Sequence, residues 1–261
     1  MIEQIKKLRE LTSAPLKDCK EALEQSGGDI AQAQQFLQEQ GILKAAKKAD
    51  RETYEGTVVV KSFGTKTVGL KLLCETDFVA KNENFRDLAL LIVSELAKNS
   101  SDVVSYEAVD TSIQEQIQKH ITDNALKIGE NMQIAQVIIT SNHAFAYTHP
   151  GDKVAALVMY EGDAEKAKAV ALQVAAMNPQ YFDLTTVPTE IVAQLTDDAR
   201  KEMEGSNKPA DILEKIIAGK VAKQLAEDVL MEQESIVDSN QRVKDMLGST
   251  MVSGFVRLSV K

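Results

Sequence analysis

Cysteine is nearly absent from this chain. Cys19 and Cys74 are the whole complement, and each lies inside an apolar periodic pattern. Two thiols so placed read as small buried side chains of a reducing compartment, not as a disulfide framework. No apolar run approaches the roughly 18 residues that span a bilayer. The opening MIEQIKKLRE is charged and amphipathic, with no apolar signal core, so the expectation is a cytoplasmic protein without membrane association. Five prolines and thirteen glycines leave no low-complexity linker. Positive charge is in deficit: the net charge is -9. Gripping a phosphate backbone takes a dense basic face, so any role near nucleic acid is expected to run through a protein partner. His120, His143 and His149 stand apart, with no HxH or HExxH spacing, which argues against a zinc site. Nucleophile elbow, phosphate-cradling loop and Rossmann fingerprint are all missing. Neither a resident metal nor a cofactor is expected.

What is present is a soluble composition, 44% hydrophobic and 26% charged over 261 residues, enough for more than one compact unit. Residues 1–41 predict a module of three short helices. Ile5, Leu8 and Leu11 or Thr12 share one face. Ser13 is a cap-type residue, with Pro15 suited to a first turn. Leu16, Cys19 and Leu23 continue the face to Gly27-Gly28. Asp29 with Gln32 forms a capping-box start, Ala33, Phe36 and Leu37 supply an apolar face, and Gly41 is expected to close the helix. Residues 42–55 form a linker in which Lys44, Lys47, Lys48 and Arg51 read as a solvated helical face or as a basic patch with a target.

From Gly56 the period changes to two. Thr57 to Val60, a turn at Gly64-Thr65, and Val68 to Cys74 predict a β-hairpin. A helix is expected from about Asn84 through Phe85, Leu88, Ile92 and Leu96, and another through Ile113, Ile117 and Ile121. VGLKLLCETD at 68–77 then aligns without gaps on VAALVMYEGD at 154–163, pairing Asp77 with Asp163; each copy has a hairpin turn upstream and an Ala/Leu-rich helix downstream. The economical fold is α+β: a core of two related subdomains, antiparallel sheets with packed helices, at 56–140 and at 141–187 with 230–261. Between the latter two, residues 188–229 predict an antiparallel helical hairpin. Ile191, Val192, Leu195, Ala199 and Met203 lie on one helix and Ile212 to Val229 on the other, with a break at 205–209. VSGFVRLSV closes the chain as a final strand.

The stretch CETDFVAKNENF joins a strand to a helix and sets an acid, Asp77, beside a bulky ring, Phe78. The ring either reaches out of the protein or anchors the entry to the following helix as a staple. Asp77 is a turn residue bonded to nearby amides, or half of a carboxylate pair with Asp163, though helpers for acid–base work are not visible. From the residues alone the chain is a binding protein of several units.

Several blocks, in order, resemble the elongation factor Ts family: the DCK and GGD blocks of the first module, TDFVA in CETDFVAKNENF, KIGENM at 127–132, THPGDKVAALV, LQVAAMNPQYF, NKPADILEKIIAGK and GFVRLSV. The resemblance implies a guanine-nucleotide exchange factor that binds elongation factor Tu and promotes GDP release during translation elongation, making and breaking no bond itself. It implies a ubiquitin-associated-like fold for residues 1–41. It also implies that Thr76, Asp77, Phe78 and Val79 press beside the partner's nucleotide site and dislodge its Mg²⁺. His149 is implied as a further contact. The hairpin at 188–229 is implied as a dimerisation arm, giving a homodimer or a 2:2 complex. Many relatives continue past the final strand with another helical module; with Lys261 last, its contribution is expected to be missing here. A different class of function, an adaptor working through the first module, is the competing expectation.

Overall fold

The computed structural model describes residues 1–12, 14–48, 51–204, 206 and 209–260, without the side chains of 42–48. Ser13, Ala49 and Asp50, and Gly205, Asn207 and Lys208 of the expected break, lie outside the described residues. The chain divides into two compact units. The first comprises 1–141, 150–154 and 258–261, the second 142–149 and 155–257.

The first unit opens with α1 (Ile2–Thr12), α2 (Leu16–Gln25) and α3 (Ile30–Lys48). Ile5 and Leu8 pack with Cys19, Ala22, Leu23, Ala33 and Leu37 into a small core. Of the alternatives Leu11 and Thr12, Thr12 is the half-buried one and Leu11 is exposed, and Leu16, expected on that stripe, is exposed as well. Pro15 falls one position earlier than predicted: it is the N-cap of α2, in an extended conformation. The Asp29 carboxylate accepts from the Gln32 amide at 2.9 Å, so the predicted cap of α3 forms.

A three-stranded antiparallel sheet follows, ordered β1 (Glu55–Phe63), β2 (Lys66–Cys74), β3 (Met132–Thr140). Gly64-Thr65 makes the two-residue turn, with Phe63 opposite Lys66 and Gly64 at φ 61°, a conformation open to glycine at little cost. Val68, Leu70, Leu72 and Cys74 of the central strand are buried. The same core takes in Phe85, Leu88, Ile92 and Leu96 of a helix over Glu83–Leu96 and Ile113, Ile117 and Ile121 of another over Thr111–Ile128. A single turn of helix, Asp77–Ala80, precedes them. In chain order these three are α4 (77–80), α5 (83–96) and α6 (111–128).

The strand β3 was not evident in the periodicity, for a physical reason. The register jumps from Lys71↔Gln136 to Leu72↔Ile134, leaving Ala135 as the extra residue of a bulge. A bulge reverses the phase of alternation, so the apolar positions Met132 and Ile134 fall out of step with Val137 and Ile139.

Gly41 does not close α3, which continues to Lys48. A Cβ at Gly41 would lie 2.2 Å from Leu126 Cδ1 on α6. The glycine therefore serves the close passage of α3 over α6, and the alanines after it let the helix run on.

The second unit holds the sheet β4 (Ala144–Thr148), β5 (Val154–Glu161), β6 (Met251–Ser259), in that order. After β5, Asp163 caps α7 (Ala164–Met177) by accepting from the Glu165 amide at 2.9 Å. Helices α8 (Thr189–Glu202) and α9 (Ala210–Asp228) pack through Ala199, Ile217, Val221 and Leu225, with Val192, Leu195 and Met203 at the margin. A short α10 (Val243–Leu247) leads into β6. The fold is α+β, three helices followed by two antiparallel three-stranded sheets with packed helices.

Candidate functional site

The last rung of the first sheet pairs Cys74 with Glu55 on one side and with Met132 on the other. Past that rung the amides of Glu75 and Thr76 have no strand to bond, and main-chain donors need an acceptor. One carboxylate takes both. Glu130, two residues before β3, accepts from the Glu75 and Thr76 amides at 3.1 and 3.0 Å through Oε2, and from the Thr76 hydroxyl at 2.6 Å through Oε1. Glu75 answers in kind, accepting from the Asn131 amide at 2.7 Å. The two strand ends are laced to each other by their own acidic side chains.

Thr76 uses its hydroxyl twice. While donating to Glu130 it accepts from the Val79 amide at 3.3 Å, and so caps α4. A hydroxyl has one proton and two lone pairs, so both bonds are satisfied together. Val79 and Ala80 turn inward and are buried, and Asn82 caps the next helix through the Asn84 amide at 2.9 Å. The turn is thus fixed beneath and at both ends.

Phe78 points the other way. Its side chain is 82% exposed, whereas Phe85, seven residues on, is completely buried. The ring is not a staple. Leaving such a side chain in water forgoes about 1.5–3 kcal/mol of burial. Beside it Asp77 makes an ion pair with Lys81 at 2.7 Å, one helical turn away. That hydrogen bond holds the Asp77 carboxyl below the usual carboxylate range and raises Lys81 correspondingly. Thr76, not Asp77, is the capping side chain here.

The remaining candidates are dispersed. His149 follows β4, exposed, with its Nδ1 3.0 Å from the Tyr147 hydroxyl. Asp163, the sequence partner of Asp77, belongs to the other compact unit and is occupied as the cap of α7. Cys74 is buried and its thiol is pushed up to about 12, chiefly by desolvation, which leaves it unreactive near neutrality. No cluster of three or more metal-ligating side chains occurs among the described residues. Nor is any helix among them long and apolar enough to cross a membrane.

The sequence model described as "Elongation factor TS" matches residues 75–261, well over half of the chain. The chain is a member of the elongation factor Ts family. It is 37% identical to the elongation factor Ts of Hydrogenobaculum sp., covering 99% of this chain and 97% of that one. The proteins of the same name from Xanthomonas campestris and Aquifex aeolicus are 38% and 35% identical, covering 98% and 94% of this chain and 90% and 91% of theirs. The first of these alignments, spanning 99% of the chain, takes in the three N-terminal helices, which lie ahead of the family match. In this member of the family the turn is legible in the sequence, whereas the residue that holds it carries no local pattern that ties it to the turn. Glu130 sits in the KIGENM block, and the signal was its place just after Gly129, whose left-handed conformation ends α6 and returns the chain to the sheet.

Proposed function

We propose that this chain is the exchange factor of elongation factor Tu and that the turn of Thr76, Asp77, Phe78 and Val79 opens the partner's nucleotide site. Family membership implies the coarser statement, a nucleotide-exchange factor for that GTPase. The single observation carrying the finer one is the exposed Phe78 ring on a turn fixed by hydrogen bonds. An apolar ring held in water at the tip of a rigid turn is poised to be buried in something else.

The partner holds GDP with main-chain amides around the phosphates and a Mg²⁺ that offsets their charge. Phe78 wedges between apolar side chains beside that site and displaces the element bearing the metal's surroundings; Asp77 disturbs those surroundings electrostatically. The ring supplies the larger share, since its burial is worth about 1.5–3 kcal/mol. The exposed acid mainly alters encounter and is screened by salt. His149 is a further contact, residues 1–41 are a ubiquitin-associated-like module that meets the partner, and the hairpin of α8 and α9 is the dimerisation arm. The work is done in the cytoplasm, without direct contact to nucleic acid.

Linkage sets the direction. A factor that weakens nucleotide binding is itself weakened by nucleotide in the same ratio, so it speeds equilibration without choosing between GDP and GTP. No bond is made or broken. The test is stopped-flow release of fluorescent GDP from elongation factor Tu: Phe78→Ala is expected to slow the stimulated rate about tenfold or more, on the order of 1.4 kcal/mol. An unchanged rate sinks the wedge.

A further inference from the structure

Glu130 belongs to none of the candidate residues named from sequence, yet it makes three hydrogen bonds to the turn that carries Phe78. We infer that Glu130 is the positioning residue of the exchange element: it sets the direction of the Phe78 ring through Thr76, and it acts on nucleotide release without touching the partner's nucleotide. The inference rests on the wedge reading of Phe78.

The connection is short and continuous. The Glu130 carboxylate fixes the Thr76 hydroxyl, that hydroxyl fixes the Val79 amide, and the intervening residues Asp77 and Phe78 form the first turn of α4. A rotation of Thr76 therefore swings the ring. Val79 and Ala80, both buried, hold the far end of α4, while the ring itself is left largely in water and takes its direction from the backbone that Thr76 fixes. A ring free to sample several directions meets its target in only a fraction of encounters, and ordering it on contact consumes binding energy.

The second copy of the strand–helix unit serves as an internal control. There Ala164 stands where Phe78 stands in the first copy, and no ring is presented. The chain passes from β5 straight into α7, with Asp163 as cap and its amide donating to Thr250 at 3.2 Å. Gly162 stands where Thr76 stands, so that junction has no hydroxyl to fix, and among the described residues no carboxylate takes its amides. The clasp and the extra turn of helix occur in the copy that has something to aim. One hydroxyl, that of Thr250 just ahead of β6, suffices to brace the second junction, whereas the first spends a carboxylate on two amides and a hydroxyl.

The experiment compares Glu130→Ala, Glu130→Gln, Phe78→Ala and the Glu130→Ala/Phe78→Ala double variant. It reads the maximal stimulated GDP release, the concentration giving half of it, and the thermal midpoint of the exchange factor alone. Glu130→Ala is expected to lower the maximal rate about tenfold with the half-saturating concentration changed by less than about threefold. Glu130→Gln, which keeps an acceptor for both amides, is expected to stay within about threefold of the parent. In the Phe78→Ala background the second change is expected to slow release no further, because a ring that is gone cannot be misdirected. Independent, multiplying losses from the two changes overturn the inference, as does a full maximal rate in Glu130→Ala beside a slowed Phe78→Ala. An unchanged Phe78→Ala instead overturns the wedge itself. If Glu130→Ala fails to fold, Thr76→Val replaces it and is expected to give the same signature, since it removes both links of the hydroxyl, to Glu130 and to the Val79 amide, and leaves the main-chain bonds to Glu130 in place. Its failure to do so refutes the positioning role.

Discussion

Two phenylalanines seven residues apart occupy opposite environments. Phe85 fills the core of the first unit and Phe78 touches almost nothing. Phe85→Ala is therefore expected to cost about 3–5 kcal/mol in denaturant unfolding, and Phe78→Ala no more than about 0.5. The exchange assay should rank the pair the other way once Phe85→Ala is measured where it is still folded. Asp163 supplies a second contrast. As the cap of α7 it is expected to cost about 1 kcal/mol of stability on replacement by Ala, with stimulated release unchanged; a collapse of exchange would revive a paired role with Asp77. Asp77 itself is held below the usual carboxylate range by Lys81. The contribution of that pair is present above the ordinary carboxylate pKa and is lost only as pH falls through the lowered value. Exchange near neutrality should owe no pH dependence to it.

At the scale of elements, the parts legible in sequence were those whose period ran unbroken. Val68 to Cys74, Phe85 to Leu96 and Ile113 to Ile121 kept one phase from end to end, and each formed the element expected. The strand β3 was lost to its bulge at Ala135, which puts its two halves on opposite phases. The end of α3 was misplaced because a glycine in a helix has two meanings, a stop and a close approach, and only the neighbouring helix tells them apart. For the turn the same limit applies. TDFVA was readable as a block, whereas its brace comes from more than fifty residues away, a pairing that no local pattern encodes. Gly41 offers the corresponding test. Alanine gains about 1 kcal/mol of helix propensity there, but its Cβ would fall within 3 Å of three Leu126 atoms, and overpacking of that kind costs about 1–3 kcal/mol. Gly41→Ala is expected to be net destabilising. Combining it with Leu126→Ala should cost less than the two changes summed, a coupling that unfolding of the four-member cycle measures. Simple additivity would mean that α3 shifts away and the close passage is not what the glycine provides.

For the molecule as a whole, each compact unit presents an exposed apolar feature of a different kind. The first presents the Phe78 ring on a hydrogen-bonded turn, the feature on which the proposed wedge rests. The second presents the hairpin of α8 and α9, whose inner face is filled by Ala199, Ile217, Val221 and Leu225 while Ile191 and Ile212 remain 39% and 43% exposed. Isolated half-exposed isoleucines are ordinary on a protein surface, and two on paired helices suit contact with another copy more than chemistry. Replacing both by Asp puts charge on that surface at little expense to the core. Sedimentation by analytical ultracentrifugation is then expected to show self-association moved to at least about tenfold higher concentration, on the order of 1.4 kcal/mol, while stimulated GDP release stays within about twofold. Should release fall together with association, the arm belongs to the working surface and exchange requires the assembled pair. Should association stay where it was, or be missing from the parent chain as well, the hairpin packs only on itself and is no dimerisation arm.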